Sequence, residues 1–248
     1  MAEKIVGINS IAEALAGKRK IHRITYDETR GGKRITELLE KAARQGIYCQ
    51  PAERRKLDNM YRRGNHQGII AEIDNYEYAE VSDLLRQAHT SGEAPFLLML
   101  DGIEDPQNLG AIIRTAEAAG VHGIILPRHN AAGINDTVIR AAAGATEHML
   151  IATVTNLVNT IRELKEQGLW VVGADMQGKE NYFTAVIPEP VLLIIGGEGR
   201  GIRRLVKEHC DLLLRIPLRG KVESLNASVA AALMMYEVVR RRQNSQHN

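Results

Sequence analysis

Apolar and polar positions along this chain fall into short runs that read as strands, separated by longer stretches with the spacing of an amphipathic helix. In the first third, Ile21–Tyr26, Ile47–Cys49 and Gly68–Ile73 predict strands. Arg34–Gln45, closed by Gly46, and the polar Glu53–Tyr61 predict helices, and Asn9 or Ser10 is placed to cap a short helix through Leu15. Together these make a small α/β domain over residues 1–75. An acidic stretch over residues 76–95, ending in Ser-Gly-Glu-Ala-Pro, reads as a linker with one helix at Val81–Ala88. Beyond it the alternation is more regular. Strands are expected at Phe96–Leu100, Gly123–Leu126, Met149–Ala152, Trp170–Ala174, Val191–Ile195 and Leu212–Ile216. Helices are expected at Leu109–Ala119, Asp136–Ala143, Leu157–Gln167, Ile202–Glu208 and Ser228–Arg241. Strands alternating with helices predict an α/β domain over residues 96–248, with a parallel sheet covered on both faces.

Composition narrows the class. At 44% hydrophobic and 25% charged, the 248 residues are those of a globular protein rather than a disordered or fibrous one. The longest apolar runs, Phe96–Leu100 and Val191–Ile195, fall far short of the ~18–20 residues of a membrane span, so no membrane partner is expected. Met1–Ser10 carries an acid and a polar pair where a signal peptide has its apolar region. Cys49 and Cys210 are too few for a disulfide framework or a structural zinc site, which points to a cytoplasmic setting. Charge is uneven. Residues 1–75 hold 15 Lys and Arg against 10 Asp and Glu, whereas residues 96–248 hold 16 of each. A basic module beside a neutral one suggests a polyanionic partner gripped at one end.

Three polar clusters follow predicted strands. Asp101-Gly102-Ile103-Glu104-Asp105-Pro106-Gln107-Asn108-Leu109-Gly110 precedes Arg114, with Asn108 placed as a helix cap and Glu117 placed to pair with Arg114. Gly196-Gly197-Glu198-Gly199-Arg200-Gly201 forms a turn that admits close backbone approach. It lacks the last glycine of a dinucleotide fingerprint and the Lys-Ser/Thr ending of a phosphate loop. Val222-Glu223-Ser224-Leu225-Asn226-Ala227-Ser228 leads into the last helix, which Asn226 or Ser228 is placed to cap. Each residue alone has an ordinary reading as a cap, a turn or a surface pair. Three such loops at the carboxyl ends of parallel strands converge on one crevice, where open α/β sheets bind ligands. The eight histidines show no metal-ligand spacing, and no metal is expected. His122, His148 and His209 flank apolar strands and read as structural.

In this order the three clusters resemble the motifs of the SpoU (TrmH) family of SPOUT-class RNA ribose 2'-O-methyltransferases, over about residues 96–242. The opening Val6–Leu15 and the basic α/β domain resemble the N-terminal extension of its RlmB-like subgroup. The resemblance implies a deep C-terminal trefoil knot, a homodimer, and S-adenosylmethionine as methyl donor contacting Gly196, Gly197, Ile216, Leu218 and Leu225. It implies a guanosine ribose in the peptidyl-transferase region of 23S ribosomal RNA as substrate. Arg114, Asn108, Glu198, Ser224 and Asn226 are then the catalytic candidates. Arg114 orients and activates the hydroxyl, Asn108 and Asn226 hold Arg114 and the ribose, Glu198 orients Arg114 or a loop amide, and Ser224 meets the hydroxyl or phosphate. Arg54, Arg55, Lys56, Arg62 and Arg63 are the candidates for RNA phosphates. A transfer-RNA methyltransferase of the same family, or a non-catalytic RNA-binding or assembly protein, are the alternatives.

Overall fold

A computed structural model of the chain describes residues 3–17, 19–30, 32–62 and 65–245. The elements run β1 (Glu3–Val6), α1 (Ile8–Ala14), β2 (Ile21–Asp27), α2 (Lys33–Arg44), β3 (Tyr48–Ala52), α3 (Arg54–Met60) and β4 (Ile69–Ile73). They continue with α4 (Val81–Ser91), β5 (Phe96–Asp101), α5 (Pro106–Ala118), β6 (Gly123–Pro127), α6 (Asp136–Ala141), β7 (Ile151–Val154), α7 (Leu157–Glu166) and β8 (Trp170–Ala174). The last are β9 (Glu180–Asn181), β10 (Val191–Gly196), α8 (Arg204–Lys207), β11 (Leu212–Arg215) and α9 (Ala227–Ser245).

The chain divides into two units. One takes the residues up to Glu77 together with Ile134–His148, and the other takes Tyr78–Gly133 and the residues from Met149 onward. The first is built on a mixed sheet in the order β1-β4-β2-β3, in which only β2 and β3 run parallel. Helix α2 buries Ile35, Leu38 and Ala42, the spacing of one helical face, beside Ile11, Ile24 and Ile69. Ile139 of α6 is part of the same core. Arg19 forms ion pairs with Glu3 and with Glu147, and Tyr61 Oη donates to Asp136 Oδ2 at 3.0 Å. Residues 134–148 are thus integral to the first unit, although sequence reasoning assigned them to the domain over 96–248. The sequence signal for α6 was sound, but periodicity does not say against which sheet a helix packs. Strand β1 was missed because four residues beginning with two charges leave no alternation to read. Helix α1 starts at Ile8 behind Gly7, whose φ of 92° suits glycine, so neither Asn9 nor Ser10 is the cap; Ser10 is buried.

The second unit is a seven-stranded parallel sheet in the order β7-β6-β5-β10-β8-β11-β9. Every residue of β5 is buried, as befits a central strand covered on both faces. Within the stretch read as a linker, α4 packs on β6 and β7, with Leu84 fully buried, so that part of the chain is structural. The two-residue β9 was not foreseen. Helix α9 packs on α5 and β10. Among the described residues no helix is long and apolar enough to cross a membrane.

Candidate active site

The site grows from the carboxyl ends of β5 and β10. These strands run in register from Phe96 opposite Val191 to Asp101 opposite Gly196. One residue further, Gly197 N–H donates to the Asp101 carbonyl at 2.8 Å. The backbones come so close that a Cβ at Gly197 would lie 2.0 Å from the Gly102 carbonyl oxygen, and one at Gly196 would lie 2.1 Å from the Gly201 carbonyl carbon. Only glycine fits at either position. The turn closes on itself through Gly201 N–H to the Gly197 carbonyl at 3.0 Å, with Gly199 and Gly201 at left-handed φ of 76° and 61°. Its far end is tied to Asp101, which is fully buried. Arg203 donates its N–H to Asp101 Oδ2 at 2.8 Å and its Nε to Oδ1 at 2.6 Å.

Helix α5 brings the second part. Its cap is Asp105, accepting from Gln107 N–H at 3.0 Å with Pro106 in the first turn, and not Asn108 as the sequence suggested. Asn108 lies inside the helix, buried, and its Nδ2 donates to Glu198 Oε1 at 3.1 Å. Asn226 supplies the third part. Its Oδ1 caps α9, accepting from Ser228 N–H at 2.9 Å, Val229 N–H at 3.3 Å and Ser228 Oγ at 2.5 Å. That role fixes the amide, so Nδ2 points the other way and donates to Asn108 Oδ1 at 2.8 Å and Glu198 Oε1 at 2.9 Å. Three residues far apart in sequence thus form one closed hydrogen-bonded cluster. Beside it opens a cavity of about 530 Å³ lined by Glu104, Asn108, Asn130, Glu198, Arg200 and Arg203.

The remaining candidates stand apart from this cluster. Arg114 is exposed on α5 and, among the described residues, its side chain makes no hydrogen bond or ion pair, including with Glu117. Asn108 and Asn226, expected to hold Arg114 and the ribose, and Glu198, expected to orient Arg114 or a loop amide, bond one another and not the Arg114 of the same chain. Ser224 is exposed and makes no hydrogen bond among the described residues. Ile216, Leu218 and Leu225 are half-buried, and residues 216–225 form no hydrogen bond among the described residues. Backbone groups left open beside half-covered apolar side chains suit a flat heterocycle that takes both stacking and main-chain hydrogen bonds. In the first unit, Arg54, Arg55 and Lys56 occupy the exposed first turn of α3, and Arg62 is exposed just beyond it. Arg63 lies outside the described residues.

Sequence reasoning missed the partnership of Asp101 with Arg203. Its only trace was an acid closing an otherwise apolar strand. His122 behaves as read. Phe96 N–H donates to its Nδ1 at 3.0 Å, Ser91 Oγ lies 3.2 Å from Nε2, and burial, then the charge of Arg242, holds the imidazole below its ordinary range. Burial pushes the Cys210 thiol up to about 12, so it is no nucleophile.

Comparison with known proteins places these features in context. Residues 95–236 match the model of the SpoU rRNA Methylase family, and residues 4–79 match that of the RNA 2'-O ribose methyltransferase substrate binding domain. A Bacillus subtilis protein whose name assigns it to the TrmH family of tRNA/rRNA methyltransferases is 47% identical over 238 residues, covering 96% of this chain and 95% of its own length. A Staphylococcus aureus protein of the same description is 42% identical over 238 residues, covering 96% of each. Among solved structures, the AdoMet-bound rRNA methyltransferase from Sinorhizobium meliloti is 28% identical, with a TM-score of 0.80 over 97% of this chain and 87% of that one. The A. aeolicus TrmH/SpoU tRNA modifying enzyme is 26% identical, with a TM-score of 0.57 over 66% of this chain and 85% of that one.

Proposed function

The chain belongs to the SpoU rRNA methylase family, and on that premise we propose that it transfers a methyl group from S-adenosylmethionine to the 2'-hydroxyl of a guanosine in 23S ribosomal RNA. The observation that carries the chemistry is the closed cluster of Asn108, Glu198 and Asn226, assembled from all three motifs at the carboxyl edge of the sheet. S-adenosylmethionine supplies a methyl group already activated on a sulfonium. Gly196 and Gly197, with Ile216, Leu218 and Leu225, fit its adenosyl part, because the open backbone of residues 216–225 and the half-covered apolar side chains flank one sheet edge.

What remains for the protein is orientation and removal of one proton. Asn108 and Asn226 lock Glu198 Oε1, leaving Oε2 without a partner among the described residues and able to accept from the ribose side. Ser224 and the unpaired guanidinium of Arg114 meet the hydroxyl or its neighbouring phosphate. A guanidinium keeps its proton, so Arg114 is not the base: it orients the hydroxyl and lowers its pKa, and the hydroxyl proton is lost to solvent late, as the methyl group is transferred. Arg54, Arg55, Lys56 and Arg62 hold RNA phosphates, with Arg63 completing the set. Three cations on the first turn of α3 oppose the helix dipole, which makes sense where an anion is to be bound. The trefoil knot, the homodimer and a cytoplasmic location belong to the same reading.

Ribosomal RNA is favoured over transfer RNA by chain coverage. The S. meliloti rRNA enzyme aligns with 97% of this chain, first unit included, whereas the A. aeolicus tRNA enzyme aligns with 66%. The test is incubation with tritiated S-adenosylmethionine and either 23S or transfer RNA. Label must appear in an alkali-resistant 2'-O-methylguanosine dinucleotide from 23S RNA; label on a base, or only in transfer RNA, rejects the assignment.

A further inference from the structure

The ion pair between buried Asp101 and exposed Arg203 has no task in that methyl transfer. The geometry assigns Asp101 the part of a positioning residue, which sets Glu198 against Asn108 and Asn226 by holding both ends of the glycine-rich turn. The inference rests on the methyl-transfer reading. Entry to the turn is fixed by the Asp101 carbonyl, which accepts from Gly197 N–H at 2.8 Å. Exit is fixed by its carboxylate, which accepts from Arg203 N–H at 2.8 Å and Arg203 Nε at 2.6 Å.

Between these two points the turn is held by its own backbone bonds, Gly201 N–H to the Gly197 carbonyl at 3.0 Å and Arg200 N–H to the Glu198 carbonyl at 2.9 Å, which fix its shape but not its place on the sheet. Gly199 and Gly201 are both left-handed, a Cβ at Gly199 would meet nothing within 4 Å, and Gly199, like Arg200, is exposed. A segment so rich in glycine has a large conformational space unless its ends are pinned. Asp101 itself cannot shift, because it ends the wholly buried β5 between β6 and β10. A buried carboxylate is costly unless every acceptor is used, and here three hydrogen bonds, one from a guanidinium, serve it and its carbonyl. Glu198 follows Gly197 directly, so the pinned entry places its carboxylate within 3.1 Å of Asn108 Nδ2 and 2.9 Å of Asn226 Nδ2.

The test uses the full chain, tritiated S-adenosylmethionine and 23S RNA transcript, with D101N, E198Q and the double variant. The amide that D101N introduces would turn a donor toward the Arg203 donors, so this variant is expected to lower kcat about tenfold or more. Because Asp101 acts through Glu198, D101N/E198Q should be no more than about twofold below E198Q alone. Wild-type kcat in D101N, or losses that multiply in the double variant, overturns the inference. If D101N does not fold, Arg203→Met removes the side-chain arm alone, and the same non-additivity with E198Q is required. Amide hydrogen exchange reads the clamp without activity: the Arg203 N–H must be protected in the wild type and lose protection in D101N. Protection unchanged in D101N overturns the inference. An inactive wild type with a clamp that still responds to D101N would reject the methyl-transfer reading and spare the clamp.

Discussion

Asn226 does two jobs with opposite ends of one amide, and replacing it by aspartate separates them. In N226D the oxygen that caps α9 is kept. The Nδ2 that donates to Asn108 Oδ1 at 2.8 Å and to Glu198 Oε1 at 2.9 Å becomes a second carboxylate oxygen facing two acceptors. Two hydrogen bonds are lost, at about 1 kcal/mol each. Like charges 2.9 Å apart add about 1.4 kcal/mol at the dielectric of water and about 6 at an effective value of 20. Asn226 and Glu198 are both exposed, so the lower figure governs. The total at pH 8 is about 3 kcal/mol, or a Tm lower by about 6–12 °C. N226A loses the cap, about 1 kcal/mol, and the same two bonds, so it arrives at a similar deficit. The pH dependence tells them apart. In N226D the introduced carboxyl, placed 2.9 Å from a carboxylate oxygen, is held above the ordinary carboxylate range in the folded state by the like charge. The folded form then binds more protons than the unfolded one, so the N226D deficit grows as pH rises through and above about 4, and shrinks as pH falls. The N226A deficit has no such slope. Thermal melts of the three proteins from pH 4 to pH 8 decide the matter. An N226D curve parallel to the wild type across that range would show that Asn226 does not face Glu198, and the cluster would fall.

Arg114→Ala is expected to lower turnover on RNA by about 100-fold or more while calorimetry finds S-adenosylmethionine affinity within about twofold, since Arg114 stands apart from the cofactor candidates. Near-normal turnover would remove it from the reaction. Gly197→Ala puts a Cβ 2.0 Å from the Gly102 carbonyl oxygen, so β10 and the β5 loop must part. Loss of measurable cofactor binding is the expected outcome, and wild-type affinity would contradict the packing. A fragment of residues 78–248 retains Ile134–His148 without the sheet that buries Ile139, so limited proteolysis should cut there in the fragment and spare the full chain. Equal protection in both would refute the division into units. His122, held neutral by burial and then by Arg242, contributes stability that is complete above its unfolded value of about 6.5 and is lost as pH falls below it. H122Q should flatten that part of the stability curve, and an unchanged slope between pH 6.5 and 5 would count against it.

Much of the second unit was legible because its strands are unbroken apolar runs, such as Phe96–Leu100 and Val191–Ile195, set between helices with clear faces. The motifs that meet at the site were legible too, but not how they meet. Asn108 looks like a cap because caps precede helices in sequence, yet Pro106 moves the helix start forward and leaves Asp105 as the cap. Nothing local to Glu198 says that its carboxylate turns toward Asn108 and Asn226 instead of Arg114. Those bonds span 90 and 28 residues and depend on the register of β5 with β10. The Asp101–Arg203 pair spans 102 residues and is invisible for the same reason.

The placement of Ile139 in the core of the first unit bears on how the protein is made. A chain leaving the ribosome exposes β1 to β4 well before α6 appears, since α6 begins at Asp136. At about 5–20 residues per second, roughly 4–14 seconds separate the emergence of Glu77 from that of His148. During that interval β1, an edge strand, lacks the helix that packs on it in the finished fold. The first unit therefore matures late, after β5 and β6 of the second sheet have been synthesised, and the nascent chain passes through a stage in which an edge strand lies open to pairing.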